Sequence, residues 1–428
     1  MATQLQEARR GTVSPAMRAA ARAEKVPPET VRRELARGQA VLPRNPAHRG
    51  LRPAVIGRAF RTKVNANIGC SPERSSLAGE IPKLRAALAA GADCVMDLSV
   101  GANLPAIRRR LLDSCPVPLG TVPIYEAFWR AGGQTGRLTG DLLLSVIRAQ
   151  ADEGVDFMTI HAGLLKRLVP LALKRQLGIV SRGGAILAKW MVQHRQENPF
   201  YVRWDEIMDI CREHDVTVSL GDGLRPGCLA DASDRAQFAE LDVLGELVRR
   251  CRRRGVQVMV EGPGHVPFNQ IQMNVEREQK VCGKAPFYVL GPVGTDIAPG
   301  HDHVASAIGA TAAAYYGACL LCYVTPAEHL SLPSVEDVKA GVVAYRIAAH
   351  AADVARGLPG ARRADDAMAR ARRSFNWERQ FRLALDGETA RGRFEAARSA
   401  IQGKADHCSM CGRDFCAVRA SKGLSRRE

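Results

Sequence analysis

The chain has 428 residues, 46% hydrophobic and 25% charged, which is the composition of an ordinary globular protein and excludes a disordered or fibrous one. Its formal net charge of +17 would suit a nucleic-acid partner, but the arginines are spread over predicted helix faces, so we expect a solvated surface and no nucleic-acid partner. No stretch reaches the ~20 apolar residues of a membrane span and the N-terminus has no signal-type apolar run, so we expect a cytoplasmic protein with no membrane partner.

The first predicted region, residues 1–60, consists of short helices separated by proline-containing breaks. The breaks are the motifs SP, VPP and LPRNP, and proline is poorly tolerated inside a helix. We interpret this region as a small helical appendage that precedes the main domain.

The main domain is predicted over residues 61–330, where short apolar or β-branched runs alternate with helical stretches. Helix periodicity is clear at Leu77, Ile81, Leu84 and Leu88, and again in the segment 238–248. Nine runs are strand candidates, beginning near residues 63, 93, 117, 156, 178, 216, 256, 286 and 320. Such alternation predicts parallel βαβ units and a (β/α)8 TIM barrel, so one of the nine must be a loop or an extra strand.

Polar side chains gather where these runs end, and this pattern is typical of an active site at the mouth of a barrel. A doubly wound sheet would concentrate its site at one switch point, and no GxGxxG motif follows the first run. The residues concerned are Asn65, Asn67, Met96, Asp97, Tyr125, His161, Ser181, Arg182, Asp222, Arg225, Glu261, His265, Tyr288, Glu328 and His329.

Two glycine-rich segments among these suit an anion or a polar heterocycle. They are SRGG at 181–184 and GDGLRPG at 221–227. Glycine lets backbone N–H groups approach a ligand closely, and the arginine in each segment supplies a forked donor. Tight βα turns alone would explain either segment, but their coexistence favours a ligand.

Histidines in the last two strand-end motifs form a candidate metal site. His265 in EGPGHVP and His329 in TPAEHL would lie at adjacent loop mouths, with Glu261 or Glu328 nearby. Neutral imidazoles hold divalent metals, although each histidine alone is equally well explained as a hydrogen-bonded structural residue. The motif HDH at 301–303 is open between the same two interpretations.

The C-terminal part is predicted as helices over 331–400 and a tail over 401–428 that carries the motif CxxCxxxxC. Its cysteines are Cys408, Cys411 and Cys416. Zinc held with His407 is one interpretation. The other is a [4Fe–4S] cluster whose fourth iron is free to bind S-adenosylmethionine, which is then cleaved to a 5′-deoxyadenosyl radical. A second pair, Cys319 and Cys322, lies in an apolar run and is predicted to be buried packing.

Twelve ordered motifs together resemble the radical S-adenosylmethionine ThiC family of thiamin biosynthesis over residues 50–418. They are RTKVNANIG, VMDLS, PLGTVPIYEA, DFMTIHAG, GIVSRGG, SLGDGLRPG, QVMVEGPGHVP, APFYVLGP, TDIAPG, CYVTPAEHL, RIAAHAAD and CSMCGRDFC. The resemblance implies a (β/α)8 barrel, a lyase that uses S-adenosylmethionine, a [4Fe–4S] cluster and an electron donor, and a homodimer in which the cluster segment of one subunit covers the other's active site. The implied reaction converts 5-aminoimidazole ribonucleotide into 4-amino-5-hydroxymethyl-2-methylpyrimidine phosphate, with release of formate and carbon monoxide.

The resemblance also assigns site residues to this chain. The cluster ligands would be Cys408, Cys411 and Cys416, and a divalent metal, zinc or iron, would bind His265 and His329. Glu261 and His161 would be the catalytic proton carriers. Substrate contacts would come from Asn67, Met96, Tyr125, His161, Ser181, Arg182, Gly183, Asp222, Gly223, Leu224, Arg225, Glu261 and Tyr288.

Two departures and two alternatives accompany this assignment. Cys70 and His301 stand where the family often has threonine and tyrosine, and either could contact the ligand. The related 5-hydroxybenzimidazole synthase of anaerobic cobalamin biosynthesis uses the same substrate and cofactors, so the product is left open. A basic zinc-containing nucleic-acid-binding protein would explain the charge and the three cysteines, but not the strand-end residues.

Overall fold

The computed structural model describes residues 2–71, 77–398 and 406–424. The chain divides into two compact units, Met1–Arg356 and Gly357–Glu428. Within the described ranges, no helix has both the length and the apolar character needed to span a membrane.

The described residues of the first unit form ten strands, of which eight make a closed parallel barrel. The barrel strands are paired in sequence order from β3 to β10, and β10 pairs with β3 to close it. The strands β1 and β2 form a separate antiparallel pair. The bounds are β1 Ala40–Val41, β2 Ile56–Gly57, β3 Lys63–Ile68, β4 Cys94–Asp97, β5 Leu119–Thr121, β6 Phe157–Ile160, β7 Thr217–Leu220, β8 Val258–Gly262, β9 Phe287–Leu290 and β10 Leu320–Cys322.

Helices surround the barrel, and their apolar faces pack on the strands in one large core cluster and a second, smaller cluster around β3, β4, β5 and the helices that connect them. The prediction of a TIM barrel is therefore confirmed. The helices of this unit are α1 Gln4–Arg9, α2 Pro15–Glu24, α3 Pro28–Ala36, α4 Leu77–Ala90, α5 Leu104–Ser114, α6 Pro123–Arg130, α7 Gly140–Glu153, α8 Val169–Ala172, α9 Arg182–His194, α10 Pro199–Val202, α11 Trp204–Glu213, α12 Arg235–Arg254, α13 Ile271–Val281, α14 Asp302–Tyr316 and α15 Val335–Ala355.

The N-terminal helices α1–α3 pack against the end of the barrel where the strands begin. Prolines are the first residues of α2 and α3. The backbone N–H at this position forms no hydrogen bond within a helix, so proline, which lacks it, is tolerated there. The Thr3 hydroxyl donates to the Gly255 carbonyl at 2.6 Å, and the Gln4 backbone N–H donates to Asp215 Oδ2 at 3.0 Å. The appendage therefore covers the opposite end of the barrel from the strand C-termini.

The ninth strand candidate, near residue 178, is a loop. It lies in the long connection between β6 and β7 and leads directly into α9. Ile179 and Val180 are only partly buried and have no strand partner, because all eight positions around the closed barrel are filled by other strands. The apolar character of this run reflects packing over the barrel mouth.

The expected C-terminal helical region, 331–400, is divided between the two units. Helix α15 belongs to the first unit, where it packs beside α14 and α4 and against β3. It thus follows β10 as an ordinary barrel helix. The second unit contains α16 Arg363–Arg373, α17 Trp377–Leu383, α18 Gly387–Arg398 and α19 Ala417–Leu424. Stacking of Trp377 on Phe394, with ring centroids 4.2 Å apart, joins α17 to α18.

Candidate active site at the barrel mouth

A cavity of about 360 Å³ opens at the C-terminal ends of the barrel strands. A TIM-barrel enzyme places its active site at this end, because the βα loops meet there. The polar or charged residues that line it are Asn67, Tyr125, Thr159, His161, Arg182, Asp222, Arg225, Glu261, His265, Tyr288, Cys322, Glu328 and His329.

Most of the substrate contacts expected from the sequence lie in this cavity, and the others lie directly behind its wall. Asn67, Met96, Tyr125, His161, Arg182, Asp222, Arg225, Glu261 and Tyr288 line it. Ser181 caps α9 through its hydroxyl, which accepts from the Gly184 N–H at 3.2 Å. Gly183 packs on the His161 ring, and Gly223 and Leu224 are in the turn between Asp222 and Arg225.

A hydrogen-bonded group of side chains joins β3, β9 and β10. The Asn65 amide donates to the Tyr288 hydroxyl at 2.8 Å and to Asn67 Oδ1 at 2.8 Å. The Asn67 amide in turn donates to the Cys322 sulfur at 2.9 Å. These contacts fix the side chains of three adjacent strands, so this part of the wall is rigid before a ligand arrives.

His161 is enclosed and uncharged. A Cβ added at Gly183 would lie 2.6 Å from its ring, and one added at Gly221 would lie 2.8 Å from it, so only glycine fits on either side. Burial, with a smaller effect of the Arg225 charge, lowers the pKa of His161 to about 3. Its Nδ1 atom is buried without a hydrogen-bond partner among the described residues. His161 is therefore a neutral imidazole with one unused ring nitrogen.

Two carboxyl groups in the cavity hold their protons more tightly than usual. Burial raises the pKa of Asp222 to about 8; the Arg225 charge opposes this rise and the Glu261 charge adds to it. Burial also raises the pKa of Glu261, although hydrogen bonds from Thr159 and Ser219 to its Oε1, at 2.6 and 3.1 Å, oppose the rise. Asp222 and Arg225 form an ion pair at 3.1 Å. Near neutral pH, this cluster tends to retain a proton on a carboxyl group.

The second arginine, Arg182, is the first residue of α9. Its guanidinium lies over the Tyr125 ring at 4.8 Å from the centroid, an arrangement that favours a cation on an aromatic face. Tyr125 reaches this position from α6, which begins two residues after β5. Two positive side chains therefore face one cavity from different loops.

His265 and His329 lie side by side, with ring centroids 5.3 Å apart. The Nδ1 atom of His265 is 2.8 Å from Asp296 Oδ1, and the Nδ1 atom of His329 is 3.6 Å from Asp302 Oδ1. Carboxylates at Nδ1 orient a metal-binding histidine and leave Nε2 for the metal. His329 also has φ +61°, an uncommon backbone conformation for a residue with a side chain. The pair fits a divalent metal as two of its ligands.

A second cavity, of about 630 Å³, adjoins the first and shares Asn67, Tyr125, Arg182, Glu328 and His329 with it. Its remaining lining includes Cys70 and the segment 331–333, and much of it is apolar. Together the two cavities have room for more than one ligand molecule. Cys70 thus lines the second cavity, whereas His301 lines neither.

Cys322 and Thr159 are cavity residues that the strand pattern does not reveal. Cys319 is buried packing, as predicted, with its thiol donating to the Gly317 carbonyl at 3.3 Å. Cys322 is also buried in the core, as predicted, but its sulfur in addition lies in the cavity wall beside Asn67. Inward and outward positions of a barrel strand are both apolar. The sequence therefore does not distinguish a cysteine or threonine that faces the cavity from one that packs in the core.

The three tail cysteines lie in a loop that precedes α19 in the second unit. Cys408 is partly exposed, Cys411 is exposed and Cys416 is buried. As donors they suit an iron–sulfur cluster, since three soft sulfurs lie within nine residues and Gly412 has the positive φ, +70°, of a turn. The part of the chain that the structure describes contains no group of three or more His, Cys, Asp or Glu side chains already gathered around a metal position.

Comparison with known proteins gives consistent matches over nearly the whole chain. A family model described as the radical SAM ThiC family matches residues 3–423. The phosphomethylpyrimidine synthase of Halobacterium salinarum is 58% identical over 420 residues, which cover 98% of this chain and 88% of that protein. The phosphomethylpyrimidine synthase of Natronomonas pharaonis has the same identity and coverage.

Among solved structures, the dihydropteroate synthase of Xanthomonas albilineans matches with a TM-score of 0.42 and 15% identity. The match covers 72% of this chain and 97% of that one. This likeness is too distant to bear on the function of the cavity.

Proposed function

The chain belongs to the radical SAM ThiC family, and from this premise we propose how its barrel cavity produces the pyrimidine of thiamin. The chain is a radical S-adenosylmethionine lyase that converts 5-aminoimidazole ribonucleotide to 4-amino-5-hydroxymethyl-2-methylpyrimidine phosphate. The observation that carries this function is the match to the family over residues 3–423 together with 58% identity to synthases of that name. Family membership brings with it S-adenosylmethionine and an iron–sulfur cluster.

The substrate phosphate would bind at the two arginines. Arg182 and Arg225 both line the cavity, and guanidinium groups pair with phosphate oxygens through parallel N–H donors. Raised carboxyl pKa values support this assignment, because a protonated carboxyl among Asp222 and Glu261 leaves less negative charge opposite the two arginines. A phosphate monoester can then supply the negative charge that pairs with them.

The imidazole ring and its amino group would bind at the rigid group on β3 and β9. Asn67 and Tyr288 offer amide and hydroxyl groups, which both donate and accept hydrogen bonds. Because Asn65 already orients the Tyr288 hydroxyl, the ring would meet a prepared set of partners. The Tyr125 ring, which contacts the Arg182 guanidinium, would form an aromatic wall of the site.

Glu261 is the better of the two expected proton carriers. Its raised pKa means that the carboxyl holds a proton more tightly than an ordinary glutamate does, and it can release that proton to an adjacent atom. His161, with a pKa of about 3, is a weak base and would act as a neutral hydrogen-bonding group. We therefore assign proton transfer to Glu261 and substrate orientation to His161.

Cys408, Cys411 and Cys416 would hold the cluster, and the cluster with S-adenosylmethionine supplies the 5′-deoxyadenosyl radical that begins the reaction. The larger cavity would exclude water around the adenosyl group, because much of its lining is apolar. His265 and His329 would hold zinc or iron, with the remaining positions taken by water or ligand. An electron donor and a homodimeric assembly complete the proposal.

The experiment is a product assay on protein purified and reconstituted without oxygen. It is supplied with 5-aminoimidazole ribonucleotide, S-adenosylmethionine and a chemical reductant, and the products are identified by mass spectrometry. We expect the hydroxymethylpyrimidine phosphate. Formation of 5-hydroxybenzimidazole would show that the proposed product is wrong. Colourless protein with stoichiometric zinc at the cysteines would overturn the cluster assignment. Size-exclusion chromatography with light scattering tests the dimer.

A further inference from the structure

Glu240 is a fully enclosed carboxyl group that the proposed chemistry does not use. It lies on α12, outside the substrate cavity, and is 2% exposed. Its Oε2 atom accepts the Leu224 backbone N–H at 2.6 Å, and its Oε1 atom is buried without a hydrogen-bond partner among the described residues. Glu240 therefore lies directly beneath the turn that carries Asp222 and Arg225.

The turn has little freedom around this contact. A Cβ at Gly223 would be 3.0 Å from Glu240 Oε1 and 3.2 Å from Leu164 Cβ. A Cβ at Gly184, in the other glycine-rich segment, would be 2.3 Å from the Gly223 carbonyl oxygen. The two ligand-facing segments are thus packed backbone to backbone, and the Glu240 carboxyl contacts the one that contains Gly223.

The surroundings favour an uncharged carboxyl at this position. A small cavity of about 20 Å³ behind the site is lined by Glu240, Asp222, Arg225 and Glu261, among others. Burial raises the pKa of Glu240 to about 8; the Leu224 hydrogen bond opposes this rise, and the charge of Asp222 adds to it. The charge of Arg175 also opposes the rise, but Arg175 is itself paired with Asp234 at 2.7 Å.

We propose that Glu240 is a positioning residue: its buried carboxyl group accepts the Leu224 N–H and packs beneath Gly223, and it thereby fixes Asp222 and Arg225 toward the ligand. This inference rests on the proposed function only in taking 5-aminoimidazole ribonucleotide as that ligand. A neutral acceptor supports the turn without placing a second negative charge behind Asp222. A charged one would weaken the positive field that attracts the phosphate.

The test compares Glu240→Gln, which keeps a neutral acceptor, with Glu240→Leu, which removes it. Asp242→Leu, at an exposed position of the same helix, is the matched control. Calorimetry measures the Kd for 5-aminoimidazole ribonucleotide on the full chain without cluster or metal, and hydrogen exchange measures protection of residues 219–227. We expect E240L to raise the Kd about tenfold or more and to increase hydrogen exchange at residues 219–227, because the buried Leu224 N–H loses its acceptor. E240Q and D242L should stay within about threefold of the wild type.

A positioning role and a merely structural one give different results. Loss of thermal stability in E240L with unchanged Kd and unchanged exchange at residues 219–227 would overturn the proposal. If E240Q and E240L weaken nucleotide binding and increase hydrogen exchange equally, the inference that Glu240 is uncharged is wrong. Should E240L fail to fold, Gly223→Ala disturbs the same contact from the turn, and unchanged exchange there would also overturn it. If the wild type does not bind the nucleotide, the proposed function fails, and exchange alone decides the role of Glu240.

Discussion

Replacing Asp156 should destabilise the barrel more than any exposed charge does. Asp156 precedes β6 and is 0% exposed. Its Oδ1 accepts the Asn45 backbone N–H at 2.8 Å, and its Oδ2 accepts the Leu119 N–H at 2.8 Å and lies 2.6 Å from His48 Nδ1. One carboxylate therefore joins the N-terminal segment to two barrel strands at the end opposite the site.

The expected magnitude follows from the groups that Asp156→Ala would leave without a partner. Three buried donors lose their acceptor, and each unpaired buried donor costs about 1–3 kcal/mol, so the free energy of unfolding should fall by about 3–9 kcal/mol. This is a large share of the ~5–15 kcal/mol that stabilises a typical domain. Asp156→Asn keeps one acceptor oxygen and should lose roughly half as much.

The assay is urea denaturation of the full chain without cluster, followed by fluorescence of the buried Trp204 and its fellow tryptophans. Asp152→Ala is the control, because Asp152 is 58% exposed and its pairing with His214 at 3.3 Å should contribute at most ~1 kcal/mol. If Asp156→Ala loses no more stability than Asp152→Ala, the buried hydrogen bonds are not what joins the N-terminal segment to the barrel.

Three further predictions concern the site and its ligands. The wild-type Glu240 carboxyl has a pKa of about 8 in the folded protein and an ordinary pKa in the unfolded chain, so the wild type loses stability as the pH rises from about 5 to 8. Glu240→Gln does not titrate and should therefore become more stable relative to the wild type over that range. A stability difference in urea that does not change with pH would contradict this. His265→Ala should abolish Zn²⁺ binding in equilibrium dialysis and Asp296→Asn should weaken it ~10–100-fold, whereas unchanged affinity in His265→Ala would exclude the two-histidine site. Cys411→Ala should eliminate absorbance near ~400 nm and S-adenosylmethionine cleavage, and the matched Cys282→Ala should retain both; cleavage by Cys411→Ala would refute the cluster assignment.

The barrel could be predicted because two independent signals in the sequence agree. Strand-length apolar runs alternate with helical periodicity, and polar residues follow the runs. The one excess candidate, near residue 178, could not be identified, since apolar residues that cover a barrel mouth have the composition of a strand. Closure of the barrel, which leaves no edge for a ninth strand, is a property of the whole sheet.

The parts of the site that escaped prediction are those that depend on which way a side chain faces. Cys322 appears as packing in its run, and only the register of β10 against β3, which pairs it with Asn65, brings it to the cavity. Glu240 appears as one more acidic residue of an amphipathic helix. Its burial under the Asp222–Arg225 turn depends on contacts between residues 16 positions apart, across a loop and a helix.

The cysteine loop differs from the barrel in what determines its geometry. In the barrel, packing and hydrogen bonds orient the site residues without any ligand, as Asn65 does for Tyr288. In the loop, Cys411 is exposed, and the neighbouring Met410 and Phe415 are 91% and 86% exposed, so these residues have no core of their own to fix them. Binding of the proposed cluster would then contribute folding energy to the loop, as in small metal-binding segments. The sequence spacing of the three sulfurs, which is independent of packing, is for this reason the strongest indication of what the loop holds.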